Sequence, residues 1–347
     1  MGASARQVQT RKSMRWTHLK VGLTYDTRDD FKFVSDEPDD WDAEFEVSTA
    51  IDDIAHAIED EGHEAIFVGS GRRLLENFPR FEGSVDIIFN IAEGYFGRAR
   101  EAQIPAMLEL AGVPYVGSDS YALALAANKW HTKVLALNYG IRTPPFEVVH
   151  TADELDRVHL KYPVIAKLCY EGSSKGLRAD SVAHDSGELT RLTRYLLKAY
   201  KQPVIVEEFI EGKEVDVPMI GTFPSKVFGV VGLTLDGSLD LDKRFLTSSI
   251  VRADGYGFRF PLDEPYVGEV ERGAVMIYNL LECRDFGRID MRISKTGEPY
   301  LLEVNPYPFL GKHSSFNAIA ESSVGYTRMI GMILESALRR YALKPVP

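Results

Sequence analysis

The chain has 347 residues, 45% hydrophobic and 26% charged, which is enough for a large core and about two or three domains. Its formal net charge of -11 argues against a nucleic-acid surface as the main partner, because binding a phosphate backbone needs clustered Lys and Arg. No apolar run reaches the ~18 residues that span a membrane. Only Cys169 and Cys283 are present, neither with a Cys or His at metal spacing, which excludes a disulfide framework and points to a reducing, cytoplasmic setting.

Met1 to Lys12 is polar and rich in small residues and reads as a disordered leader, extending to about residue 18, rather than as a secretory signal. Leu19 to Thr24 reads as a strand, and Glu44 to Glu61 carries Val47, Ile51, Ile54, Ala55 and Ile58 at helical spacing. Glu64 to Gly69 and Val85 to Asn90 follow as strands, then a helix from Glu101 to Ala111 and a short strand from Val113 to Val116. Strands alternating with helices imply a parallel, helix-covered sheet.

From Asn128 a helix runs to Gly140, and Pro144-Pro145 stops it. Strands at Pro163 to Leu168 and Pro203 to Phe209 flank a helix from Gly187 to Tyr200. The last third is mostly strands (Val215 to Gly221, Val227 to Leu233, Gly287 to Ile293, Tyr300 to Val304), with helices at Gly268 to Cys283 and Gly325 to Tyr341. These give an α/β chain with units at about 19–126, 127–212 and 213–347.

The run from Gly287 to Ile293, a turn at Lys295-Thr296-Gly297, and the run from Tyr300 to Asn305 both alternate polar and apolar residues, the period of a strand. A hairpin symmetric about Thr296 and Gly297 places Asp290 opposite Glu303 and Arg288 opposite Asn305. Ile289, Met291, Leu302 and Val304 then fall on the other face. Two opposed carboxylates repel, and a hard cation between them reverses the sign. Mg²⁺ takes carboxylate and amide oxygens plus substrate phosphates, so Asp290, Glu303 and Asn305 read as its ligands, with Arg288 stabilising anionic charge. A solvated surface hairpin is the competing reading. Glycoside hydrolysis by the two acids would need a protonated acid and no cation.

The strand Val164 to Lys167 runs into Glu171-Gly172-Ser173-Ser174-Lys175-Gly176, a small flexible loop suited to phosphate oxygens. It does not have the spacing of the P-loop enzymes. The strand that ends at Glu207-Glu208-Phe209-Ile210 can offer backbone groups to adenine and a carboxylate to ribose; a core strand with solvated acids is the alternative.

Taken in order, these pieces resemble the ATP-grasp superfamily, and within it the D-alanine–D-alanine ligases, over about two-thirds of the chain. The carrying segments are Gly112-Val113-Pro114-Tyr115-Val116-Gly117-Ser118, Asn128-Lys129-Trp130-His131-Thr132-Lys133, Ile141-Arg142-Thr143-Pro144, Arg288-Ile289-Asp290, and Leu302-Glu303-Val304-Asn305-Pro306. The resemblance implies an N-terminal parallel-sheet domain followed by two α+β subdomains that clasp ATP. It also implies a homodimer acting on an amino acid and an amine or carboxylate acceptor, with two Mg²⁺ ions, Mn²⁺ being the alternative.

Position by position, it implies that Lys129 and Lys167 contact ATP phosphates and base and that Glu207, Glu208, Phe209, Ile210 and Leu302 line the nucleotide. Glu214 would hold the ribose. Ser173 and Ser174 would cover the phosphates, and Lys243 would reach the γ-phosphate. Asp290, Glu303 and Asn305 would hold the metals, and Arg288 would stabilise the tetrahedral intermediate. Glu46, in Glu44-Phe45-Glu46-Val47-Ser48, would anchor a substrate ammonium.

Three departures lie at the substrate end. The family's H-G-x-x-G-E-D-G is replaced by Ala92 to Glu101, a tyrosine after the loop lysine by Arg244, and a glycine near the oxyanion by Phe309. Arg244, with Arg98 and Arg100, is therefore expected to enrich the pocket in positive charge and favour a substrate with an extra carboxylate. Two other readings are a biosynthetic relative joining an amino acid to a different acceptor, as in mycosporine-type imine formation, and a nucleotide-binding protein without ligase activity.

Overall fold

The computed structural model describes residues 18–27, 30, 38–43, 45, 48–69, 73–76 and 83–342. The expected leader, apart from His18, and Glu46 lie outside the described residues.

Four short strands, β1 (Lys20–Thr24), β2 (Glu64–Gly69), β3 (Ile87–Asn90) and β4 (Tyr115–Val116), form a parallel sheet in the order β2-β1-β3-β4. Helix α1 (Ser48–Asp60) covers it through Ile51, Ile54, Ala55 and Ile58, one apolar stripe at helical spacing. Helix α2 (Gln103–Ala111) ends at Gly112, whose φ of 69° closes the helix in the left-handed region. A short helix α3 (Ser120–Ala126), capped by Asp119, was not legible as a separate element.

Helix α4 (Lys129–Asn138) begins at Asn128, whose side chain accepts the N–H groups of Trp130 and His131. The second sheet is antiparallel, in the order β5 (Phe146–Val149), β8 (Val204–Glu208), β6 (Val164–Leu168), β7 (Val182–Ala183). Alternation gives its two faces different duties. Val164, Ala166, Val204 and Val206 pack with Leu189, Leu192 and Leu196 of helix α5 (Ser186–Tyr200), while Ile165, Lys167 and Glu207 face a cavity.

The third sheet runs β12 (Gly257–Arg259), β11 (Val231–Thr234), β9 (Gly212–Ile220), β13 (Phe286–Ser294), β14 (Pro299–Asn305), with β10 (Lys226–Val227) also on β9. The single strand expected from Val227 to Leu233 is thus two, because the chain leaves the ladder at Phe228–Val230 and rejoins β9 further along. The apolar face, with Val215, Val217, Ile289, Met291 and Leu301, packs on helix α7 (Val267–Leu280). Helix α6 (Ser248–Arg252) and helix α8 (Ser315–Glu321) follow β11 and β14. The last helix, α9 (Tyr326–Arg340), crosses back to pack against α1, so the core beside the first sheet also includes Ile220, Phe286 and Phe316 from the chain's second half. The polar faces of the second and third sheets are left opposed across a cleft.

Candidate active site

On the third sheet three carboxylates lie in register across adjacent strands: Asp216 on β9 opposite Asp290 on β13, and Asp290 opposite Glu303 on β14. The expected pairing of Asp290 with Glu303 and Arg288 with Asn305 is the observed one. Between Asp290 and Met291 the register shifts, so Met291 faces Leu301 rather than Leu302. That bulge corrects the assignment of Leu302 to the apolar face: Leu301 is buried, and Leu302 lines the cleft beside Glu303.

Charge balance in this cluster is local. Arg288 forks onto Asp290, with Nε–Oδ1 2.6 Å and Nη2–Oδ2 2.8 Å, and reaches 3.6 Å from Asp216. The Asn305 amide donates to Asp290 Oδ2 at 2.9 Å. Burial raises the Asp290 and Asp216 carboxyls despite Arg288, and each is pushed further by neighbouring carboxylates. Burial acts the same way on Glu303, but Lys129 at 2.8 Å, with Arg288, holds it well below the usual range. Among the described residues no three carboxylate, imidazole or thiol groups converge on one point. Asp290, Glu303 and Asn305 are the residues that would hold a hard cation, with water and substrate oxygens as its further ligands, the usual habit of Mg²⁺. The oxygen-only donors, and the repulsion a cation would relieve, fit that ion.

Across the cleft, Glu207 is 1% exposed and held between two lysines, Lys133 Nζ to Oε1 at 3.0 Å and Lys167 Nζ to Oε2 at 2.9 Å. Lys133 also donates to Thr143 Oγ1 (2.7 Å) and to the Leu301 carbonyl (3.1 Å), tying the second sheet to the third. Burial lowers its ammonium to about 8, against the pull of Glu207. Lys133 was not among the expected site residues, though its place one helical turn after Lys129 is the signal that finds it. Lys129 itself spans the cleft, from Glu303 to the Glu171 carbonyl.

The cavity between the two sheets is lined by Lys129, Lys167, Ser174, Glu207, Glu208, Phe209, Ile210, Glu214, Asp290, Leu302 and Glu303, all expected from sequence, and by Arg292, which was not. Arg292 lies buried over the Phe209 ring (5.4 Å), pairs with Glu214 (3.0 Å), and gathers the carbonyls of Ile210 (2.9 Å), Asp242 (3.1 Å) and Arg244 (2.8 Å). In the Gly-Ser loop Ser173 and Ser174 both adopt left-handed φ (48° and 55°). Such strain, about 1–3 kcal/mol per residue, persists only where surroundings over-determine it and clusters at ligand clamps. Glu171 anchors the loop's start: burial would raise its carboxyl, but Arg100 (3.3 Å) and Lys175 (3.1 Å) hold it below the usual range.

A second, larger cavity of about 830 Å³ continues from the metal-type cluster toward the first sheet. Arg288, Asp216, Ser173 and Asn305 border it, together with Phe45, Glu93, Glu101, Tyr256 and Phe309.

Here the expectation of added positive charge is overturned. Arg244 reaches Asp236 (3.3 Å) and the Asp240 carbonyl (3.2 Å) on the outer side of its loop, and borders neither cavity. Lys243 is 3.7 Å from Glu211 with its side chain 69% exposed, and it borders neither cavity. The cause is Arg292: it draws the Asp242 and Arg244 carbonyls inward, and Phe245 and Leu246 are the side chains that enter the cleft. Arg98 is exposed, and Arg100 is consumed by Glu171 and the Tyr170 carbonyl (3.0 Å). The lining cations Arg252 and Lys312 are paired with Asp42 (2.9 Å) and Asp53 (2.6 Å). Phe309 does border this cavity, its ring laid over Gly311, where any Cβ would come within 2.3 Å of it.

Comparison with known proteins agrees with this architecture. The family model described as D-ala D-ala ligase C-terminus matches residues 135–335. An uncharacterised protein of Sinorhizobium fredii is 30% identical over 300 residues, covering 84% of this chain and 88% of that one. A D-alanine–D-alanine ligase of Azoarcus is 32% identical over 237 residues, 67% of this chain and 73% of its own length. The crystal structure of the Bacillus anthracis D-alanine–D-alanine ligase complexed with ATP superimposes with a TM-score of 0.70 at 18% identity, covering 93% of this chain and 99% of that one. The D-Ala:D-Ser ligase of Enterococcus faecalis gives a TM-score of 0.68 at 20% identity, covering 92% and 99%. The fold, the family model and these relatives together show that the chain belongs to the D-alanine–D-alanine ligase family of ATP-grasp proteins.

Proposed function

We propose that the protein is an ATP-dependent carboxylate–amine ligase that activates a small acid as an acyl phosphate, joins it to an amine, and releases ADP and phosphate. The observation that carries this reading is the Asp216–Asp290–Glu303 row, with Arg288 at its edge, on the boundary between the two cavities. One cavity has the lining for a nucleotide and the other has room for two small substrates.

In this reading Phe209, Ile210 and Leu302 enclose the adenine, and Glu214, fixed by Arg292, holds the ribose. Lys129, Lys167 and the Ser173–Ser174 loop hold the phosphates. Asp290, Glu303 and Asn305 hold Mg²⁺, which when bound neutralises charge on the transferring phosphoryl group. A substrate carboxylate oxygen attacks the γ-phosphorus as the bond to the β-phosphate oxygen breaks and ADP leaves. The acyl phosphate is the better electrophile. The acceptor amine attacks its carbonyl carbon, Arg288 stabilises the oxyanion, the C–O bond to phosphate breaks, and the nitrogen's proton passes to the departing phosphate or to solvent. Phe245 and Leu246 help exclude water that would hydrolyse the intermediate.

Glu46 is proposed to anchor the first substrate's ammonium. Lys243 and Arg244 are given no chemical step, because their side chains leave the cleft. The two cysteines, buried and pushed up to about 12 by that burial, suit a reducing compartment such as the cytoplasm. ADP release measured over panels of amino acids and acceptors tests the proposal: it requires turnover that depends on both an acid and an amine. Turnover indifferent to both would remove the ligase assignment.

A further inference from the structure

The segment 38–43 precedes α1 and carries no periodic pattern, yet it reaches across to the phosphate loop. Asp40 is 8% exposed. Its Oδ2 accepts the backbone N–H of Gly176 at 2.7 Å, and its Oδ1 accepts the Tyr200 hydroxyl, at the end of α5, at 2.7 Å. Gly176 has φ +78°, and a Cβ there would come within 2.9 Å of Leu168, so the loop turns back only as glycine and in one way. One residue along, Trp41 packs edge-on against Phe45 (5.5 Å) and Tyr95 (6.1 Å), anchoring the segment beside the rebuilt stretch 92–101. Two residues along, Asp42 pairs with Arg252 of α6 (2.9 Å), which also donates to the Asp39 carbonyl (2.7 Å). Helix α6 closes the ring, since the Ser248 N–H donates to the Leu177 carbonyl at 2.9 Å. Three distant stretches, 38–42, 172–177 and 248–252, therefore interlock over the junction of the two cavities.

We infer that Asp40 is a positioning residue for phosphoryl transfer: it latches the Gly-Ser loop in its closed, strained form and couples that closure to the acceptor cavity. The inference rests on the ligase reading above. A carboxylate accepting a loop N–H makes a charge-assisted bond, stronger than a neutral one. It uses the Gly176 N–H, so phosphate contacts are left to the N–H groups and hydroxyls of the preceding loop residues. Because Asp40, Asp42 and Phe45 also line the acceptor cavity, an occupant there bears on the same latch. A loop that opens too freely admits water to the acyl phosphate.

The test uses the full-length protein and the variants Asp40→Ala, Asp40→Asn and Tyr200→Phe. Three quantities are read: KM for ATP, amide formed per ADP released, and hydrogen exchange of the peptide spanning residues 172–177. For Asp40→Ala the expectation is about a tenfold rise in ATP KM and in exchange rate, the size of one charge-assisted hydrogen bond, with less amide per ADP. Asp40→Asn keeps a neutral acceptor and should fall between it and the parent, and Tyr200→Phe should shift each quantity about threefold. If Asp40→Ala does not fold, the other two variants decide. A fall in Tm with ATP KM, amide per ADP and loop exchange at parental values would mean that Asp40 only holds the fold together, and would overturn the inference. Absence of acid-dependent turnover in the parent would instead sink the ligase reading, while the exchange measurement would still judge the latch.

Discussion

Glu207→Gln removes one negative charge from the most buried part of the cleft without changing its shape. The parent carboxylate is 1% exposed and neutralises two ammonium groups, at 3.0 and 2.9 Å. Breaking a buried ion pair by deleting one partner costs about 3–5 kcal/mol. Lys133 limits that cost, because burial has already lowered it to about 8 and Glu207 is the main influence opposing the drop. Without Glu207 it is pushed lower still and sheds its proton more readily, and each pKa unit traversed is worth about 1.4 kcal/mol.

A net loss of about 3 kcal/mol at pH 6.5 follows, or a fall in Tm of roughly 4 °C for a chain of 347 residues. The sign of the pH dependence is fixed by the direction of the shift. Lys133 is lowered from its ordinary 10.5 to about 8, so the folded state sheds this proton first, and the group's own contribution to stability rises with pH through that window. By pH 9 the parent's Lys133 is largely neutral, and the substitution then breaks only the pair with Lys167. Thermal unfolding of parent and variant at pH 6.5 and pH 9 should show the larger difference at pH 6.5. A difference under about 2 °C at pH 6.5, or one as large at pH 9, would refute the description of Glu207 as the counter-ion of two buried ammonium groups.

Glu303→Gln or Asn305→Ala should lower acid-dependent ADP release at least 100-fold at every Mg²⁺ concentration, a barrier increase of about 2.7 kcal/mol; Asn305→Ala should leave Tm little changed, whereas Glu303→Gln also strips Lys129 of its partner at 2.8 Å and should lower it. Activity within threefold of the parent would count against these residues as metal ligands. Arg292→Ala frees the Asp242 and Arg244 carbonyls and Glu214 together, and should raise the ATP KM more than tenfold; an unchanged KM would show that this tether does not shape the nucleotide site. Arg244→Tyr touches neither cavity, so kcat/KM for the best substrate pair should move less than threefold, whereas a larger change would return Arg244 to the substrate pocket.

Much of the site was legible because hairpin pairing is local. A short turn and a two-residue period determine that Asp290 faces Glu303, and the cap at Asn128 marks the helix that delivers Lys129. The rest depends on contacts distant in sequence. Asp216 joins the carboxylate row only through the pairing of β9 with β13, 74 positions on, although the alternation Glu214, Asp216 marks a polar face. Leu302 changes face at a bulge that periodicity does not reveal. The outward turn of Lys243 and Arg244 follows from Arg292, a distant residue whose side chain gathers the carbonyls of their loop. Asp40 lies in a stretch without periodicity, so neither pattern nor spacing identifies it.

The central claim is that the acid is activated by phosphorylation, and oxygen transfer tests this most directly. With the substrate carboxylate labelled with ¹⁸O, attack on the γ-phosphorus and later loss of phosphate carry one carboxylate oxygen into the inorganic phosphate. The account predicts one ¹⁸O per phosphate released, one ADP per amide formed, and no AMP. Unlabelled phosphate, or label recovered in AMP, would contradict it.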